Sequence, residues 1–85
     1  MNTNFALLAR FESPFVQLKL ISQEFLGFTP VTAEAKAKAC ALPFPTCKLR
    51  NSERSPTMVK VEDLAVYIDS QYEIAHHDWQ SVQPH

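Results

Sequence analysis

Apolar positions change period several times along the chain, and each change predicts an element. Phe5-Ala-Leu-Leu-Ala-Arg-Phe11 is a short apolar run with an aromatic at each end, bounded by polar Asn2 to Asn4 and by Glu12-Ser13-Pro14. This reads as a β-strand near the N-terminus. Leu18, Ile21 and Phe25 then recur at offsets of three and four, so they share one face of a short helix closed by Gly27, the chain's only glycine. Thr29 and Pro30 open a second helix as N-cap and first residue, because the threonine oxygen accepts an orphan N–H and proline has none to lose. That helix is expected to reach about Ala41. Its core segment, Thr32 to Ala41, alternates with a period of two, yet Ala, Glu and Lys favour helix over strand. At ~100° per residue, Ala33, Ala37 and Cys40 form the core side, while Thr32, Ala35, Lys36 and Ala39 form another. Glu34 and Lys38 make an i, i+4 pair on the third side, worth ~0.3 kcal/mol. Leu42-Pro43-Phe44-Pro45 ends the helix, since each proline pushes its predecessor towards extended geometry.

From Thr46 the pattern is a hairpin. Cys47 and Leu49 alternate with Thr46, Lys48 and Arg50; turn formers occupy Asn51 to Thr57; Val59 and Val61 alternate with Met58 and Lys60. One face is expected to be apolar and the other to carry the bases. A last helix begins near Val61, where Val61, Leu64, Ala65, Ile68, Tyr72, Ala75 and Trp79 form a stripe at helical spacing. Tyr67 and Ile74 fall on roughly the opposite face, exposed unless something covers them. Residues 80–85 lack periodicity and are expected to fray, leaving residues 1–79 as a single domain. The fold class is α+β.

Eighty-five residues suffice for one small domain with a thin core, which makes a homodimer a live expectation. No uncharged run exceeds nine residues, too short for a membrane span, and Met1 to Asn4 lacks the basic and long apolar regions of an export signal. An intracellular, cytoplasmic protein is expected, with Cys40 and Cys47 as reduced thiols. The formal net charge of −1 conceals a strong asymmetry. Residues 1–29 balance to zero; residues 30–60 hold Lys36, Lys38, Lys48, Arg50, Arg54 and Lys60 against Glu34 and Glu53, a net +4; residues 61–85 carry five acids and no Lys or Arg.

Helix, tight turn, helix, basic hairpin, helix is the plan of a winged helix-turn-helix. A second helix of this kind enters the major groove while a basic hairpin lies along phosphates. Thr32, Ala35, Lys36 and Ala39 are the candidate base-facing positions, the alanines allowing close approach and offering methyls to thymine. Lys48, Arg50, Arg54 and Lys60 are the candidate phosphate contacts. Six cations on phosphate give a slope of log affinity against log salt of about −5. Catalysis and cofactors find no support. One glycine cannot build a Gly-rich phosphate cradle, and Glu62 and Asp63 are explained by a helix start. Ser22, Ser52 or Ser55 with His76 or His77 lacks a nucleophile elbow. A zinc set of Cys40, Cys47, His76 and His77 is disfavoured by the long cysteine offset and by adjacent histidines that point to different helix faces.

Several segments together resemble the pyocin activator protein (PrtN) family. They are Asn2-Thr3 with Phe5-Ala-Leu-Leu-Ala-Arg-Phe11, Leu42-Pro-Phe-Pro-Thr46, Leu49-Arg50 with Ser52 and Pro56, and Val61-Glu-Asp-Leu-Ala-Val-Tyr-Ile-Asp69. The resemblance covers most of residues 2–72. It implies a small transcriptional activator that binds promoter DNA of bacteriocin or phage-derived gene clusters. The stretch from Val61 and the preceding wing are also similar to excisionase and MerR-type winged helices, which bind and bend DNA. The second helix departs in being Ala-rich with two bases, and the end after Tyr72 has no counterpart. The expected partners are double-stranded DNA and further copies of the chain, with RNA polymerase a candidate and no small-molecule substrate. Two alternatives stand beside this reading: an excisionase-like architectural protein, and a protein-interaction module docking through Tyr67 and Ile74 or through Trp79.

Overall fold

The computed structural model describes residues 2–50 and 54–83. Helix α1 (Thr3–Phe11) leads into strand β1 (Phe15–Gln17), then helix α2 (Leu18–Ile21), which continues as a π-helical turn over Ser22–Leu26. Helix α3 (Pro30–Lys38), strands β2 (Cys47–Lys48) and β3 (Thr57–Lys60), and helix α4 (Val61–Val82) follow. The fold is α+β, with a three-stranded antiparallel sheet in the order β1-β3-β2. This architecture is compatible with a small winged helix. The notional turn residues Asn51, Ser52 and Glu53 lie outside the described residues.

The expected strand at Phe5 to Phe11 is a helix. Asn2 caps it, its Oδ1 accepting from the Phe5 N–H at 2.7 Å, and Glu12 ends it in a left-handed conformation with its N–H bonded to the Leu8 carbonyl. Two alanines and two leucines within the run are strong helix formers, and the terminal aromatics that suggested a strand do not outweigh them. Leu7 is buried, with Leu8 and Phe11 packed against the core, and α1 lies along α4. The N-terminal strand of the sheet is instead β1, whose three residues are too few to display a period. Its register sets Phe15 opposite Lys60, Val16 opposite Val59 and Gln17 opposite Met58.

The turn after α2 forms as the pattern predicts. Gly27 closes it at φ 76°, donating to the Ser22 carbonyl, and Phe28 N–H reaches the same oxygen at 3.0 Å. Thr29 caps α3 with its hydroxyl oxygen accepting from Thr32 N–H, and Pro30 takes the first turn. The helix stops at Lys38, short of the expected Ala41. Cys40 flips to φ 53°, Cys40 N–H returns to Ala37 and Ala41 N–H to Lys36. This left-handed cap turns Cys40 out to solvent, so only Ala33 and Ala37 of the expected core side face inward.

Leu18, Ile21, Val59, Val61 and Leu64 are fully buried at the centre, each worth ~1.5–3 kcal/mol of burial. Phe44 closes the core from the Pro43-Pro45 segment and meets Tyr67 edge-on, ring centroids 5.7 Å apart at 80°. Tyr67 is therefore half-covered, whereas Ile74 remains exposed. The α4 stripe divides. Val61, Leu64 and Ala65 are buried and Ile68 packs beside them, but Tyr72, Ala75 and Trp79 stand in solvent. The helix does not end at Trp79 but runs on through Val82, Ser81 bonding back to the Asp78 carbonyl. Thr3 Oγ1 donates to Asp69 at 2.6 Å, and this marks where α1 ends against α4. Beyond it, α4 projects. The molecule measures 55 × 27 × 17 Å, and no helix among the described residues is long and apolar enough to cross a membrane.

Candidate nucleic-acid interface

The outward face of α3 consists of Val31, Thr32, Ala35, Lys38 and Ala39, all exposed. At ~100° per residue these five cluster within one third of the helix circumference, with the buried Ala33 turned away. Apart from Val31 and Lys38, the side chains on this face are short. Thr32 has its hydroxyl within 3.0 Å of the Thr29 hydroxyl, which donates to it, and so remains able to donate outwards. Lys36 is placed differently from expectation. It sits at the edge of the face, half-buried, with Nζ 4.9 Å from the centroid of the Phe28 ring. Lys38 takes the more central position.

Lys38 was expected to pair with Glu34, and the structure removes that partner. Glu34 instead accepts a 2.8 Å hydrogen bond from Thr57 Oγ1 on β3. Thr57 is buried at the start of that strand, so a carboxylate on α3 satisfies the one hydroxyl the sheet turns inward. The bond fastens the outer helix to the hairpin. A cleft lined by Glu34, Ala37, Lys38, Thr46, Cys47, Lys48 and Thr57 runs along this joint, bringing Lys38 and Lys48 to one place. Farther out, Arg50 and Arg54 come together with Ser55 and Pro56 in a second shallow cleft.

The expectation of one apolar and one basic hairpin face is corrected by the register. Lys48 lies directly opposite Thr57, and Cys47 opposite Met58. Because directly paired residues share a sheet face and neighbours alternate, Lys48 lies on the face of Thr57 and Val59, while Lys60 lies with Cys47, Met58 and Phe15 on the other. Cys47 and Leu49, expected to be buried, are exposed at this short edge strand. Lys60 also forms a 3.5 Å ion pair with Glu62. The candidate cations therefore fall into a joint pair, Lys38 and Lys48, an outer pair, Arg50 and Arg54, a marginal Lys36 and a separate Lys60. Lys38 is the residue that sequence reasoning passed over. The parity of Thr57 with Val59 and Val61 was the available sign that Thr57 faces inward and needs a partner.

Arg10 forms a further cationic feature on the side of α1. Its guanidinium lies 5.0 Å from the Phe11 ring centroid and 5.6 Å from that of Phe25, and donates to Glu24 at 2.6 Å. The hydrogen bond from Arg10 holds the Glu24 carboxyl below the usual carboxylate range and raises the guanidinium. This cluster staples α1 to the turn after α2. Among the described residues, no group of three or more His, Cys, Asp and Glu side chains is placed to hold a metal ion. Comparison with known proteins adds one match: the family model described as pyocin activator protein PrtN covers residues 3–75, from the first residue of α1 into the projecting half of α4. No curated protein and no solved structure matches the chain.

Proposed function

The chain belongs to the pyocin activator protein (PrtN) family, and from that membership we propose that it activates pyocin-type genes by binding promoter DNA through α3 and the hairpin wing. The family is one of regulators rather than enzymes. The observation that supports the DNA reading is the joint between Glu34 and Thr57, where Lys38 of α3 and Lys48 of the hairpin line one cleft. Short side chains at Thr32, Ala35 and Ala39 suit close approach to base edges, with Lys38 and the marginal Lys36 beside them. Lys48, Arg50 and Arg54 suit the phosphate backbone, which positions without reading sequence. Lys60 is left out of this surface because it lies on the other sheet face. The protein acts on repeated half-sites as two or more copies, in the cytoplasm, with the transcription machinery as its further partner.

Anisotropy titration of promoter duplex against salt tests the reading. Five cations, Lys36, Lys38, Lys48, Arg50 and Arg54, give a slope of about −4.5 in log affinity against log salt. A slope near zero removes the phosphate contacts. Ala35→Glu sets a carboxylate at the centre of the face and is expected to weaken binding by roughly 10- to 100-fold. Arg54→Ala should weaken all sequences alike and make the slope shallower by about 0.9, whereas Lys60→Ala should change affinity less than about twofold. Equal losses at Arg54 and Lys60 would contradict the division of the hairpin into two faces.

A further inference from the structure

We propose that Val31 is a specificity-determining residue of the DNA-reading face, and that it selects thymine through the C5 methyl group in the major groove. The inference rests on the reading of α3 as the helix that meets base edges, and it names what that helix prefers. Val31 is 80% exposed, more than any other large apolar side chain among the described residues. It follows Pro30 in the first turn of α3, the part of a recognition helix that contacts base edges. Burial does not explain its presence. The side chain lies about 160° round the helix from the buried Ala33, so it adds almost nothing to the core. A β-branched residue is also a weaker helix former than alanine.

The surroundings of Val31 favour a methyl group over a polar base edge. Glu34 is engaged by the Thr57 hydroxyl at 2.8 Å, and the Lys36 Nζ lies 4.9 Å from the Phe28 ring centroid. Helix α3 contains no Asn, Gln, Asp or Arg, side chains that pair with the edges of adenine, cytosine and guanine. Lys38 remains on the face, and it lines the cleft shared with Lys48 of the wing. Of the four bases, thymine alone carries a methyl in the major groove. Cytosine would set its amino group, and guanine or adenine a ring nitrogen, against an isopropyl group that offers no hydrogen bond. A protein partner fits less well, because the face of Val31, Thr32, Ala35, Lys38 and Ala39 has no aromatic or Arg anchor. Ala35 lies one turn beyond Val31, about 6 Å along the axis, which is under two base-pair steps of about 3.4 Å. The preferred target therefore carries two thymine methyls within about two steps, on either strand.

The test uses the full chain and a random-sequence duplex library. The tightest-binding duplexes are selected at low salt and remade with deoxyuridine in place of thymidine, which keeps the pairing and removes the C5 methyl. Each lost contact should weaken binding about fourfold in anisotropy titrations, so the uracil duplexes should bind roughly 15-fold more weakly than the thymine ones. Val31→Ala, an exposed change to a better helix former, should weaken the thymine complex about fourfold or more and the uracil complex less than about 1.5-fold. Unchanged binding to the uracil duplex also shows that the variant is folded. Equal affinity for the two duplexes overturns the proposal and leaves promoter binding standing. So does an equal response of both to Val31→Ala, including none, as a protein-docking face would give. Retention of no duplex at low salt overturns this proposal and the promoter-binding reading together.

Discussion

Glu12 and Cys40 hold the left-handed backbone conformation that glycine adopts without penalty, at φ 54° and 53°. Both sit just past a helix end, where the chain reverses and the last carbonyls find donors. Cys40→Gly keeps the cap and removes the steric cost, so it should stabilise the protein by about 1 kcal/mol, a rise in Tm of roughly 4–8 °C measured calorimetrically. Gly27→Ala works in the opposite direction. Open space surrounds the position where its Cβ would lie, so the expected loss of about 1 kcal/mol comes from the backbone at φ 76° and not from a clash. Glu24 carries a pH signature. Its folded pKa is depressed, so the stability it contributes is present above the ordinary carboxylate range and is lost as pH falls through it. Glu24→Gln should therefore narrow the difference between denaturant midpoints at about pH 7 and about pH 3. The narrowing is small because the pair is solvent-exposed.

At the scale of elements, the fastening of α3 to the wing depends on one hydroxyl. Thr57→Val keeps shape and burial but leaves the Glu34 carboxylate without its donor, so a loss of about 1–2 kcal/mol is expected in chemical denaturation. If α3 and the wing bind DNA together, duplex affinity should fall with it, since Lys38 and Lys48 are no longer held across one fixed joint. The sequence made α2, the start of α3 and the start of α4 legible, because Gly27, Thr29 with Pro30, and the Val61-Leu64-Ala65 spacing are local signals with local causes. It misled at α1, where aromatic ends outweighed the Asn2 cap and the Ala and Leu content. Strand β1 was hidden because three residues show no period and its pairing with β3 joins segments more than 40 positions apart. The candidate surface was half legible. Charge along the chain marks residues 30–60, but the face on which each cation lies is set by sheet register and by Glu34 choosing Thr57 over Lys38.

For the whole molecule, the Cα radius of gyration is 14.9 Å, against ~12 Å for a compact chain of this length. Helix α4 accounts for the difference: 22 residues at ~1.5 Å each reach ~33 Å, and the burial of its side chains is concentrated in the first two turns. Small-angle scattering of the dilute protein should return the extended value, and a profile with a radius near 12 Å would mean that the helix folds back. The same projection has an electrical result. The projecting half of α4 carries Asp69, Glu73 and Asp78 without a Lys or Arg, whereas the bases are concentrated in residues 30–60. Different elements of the protein therefore carry opposite charge despite a near-neutral sum. Such a body has a permanent dipole, and in the field of a polyanion it experiences a torque that turns it cationic edge first before contact.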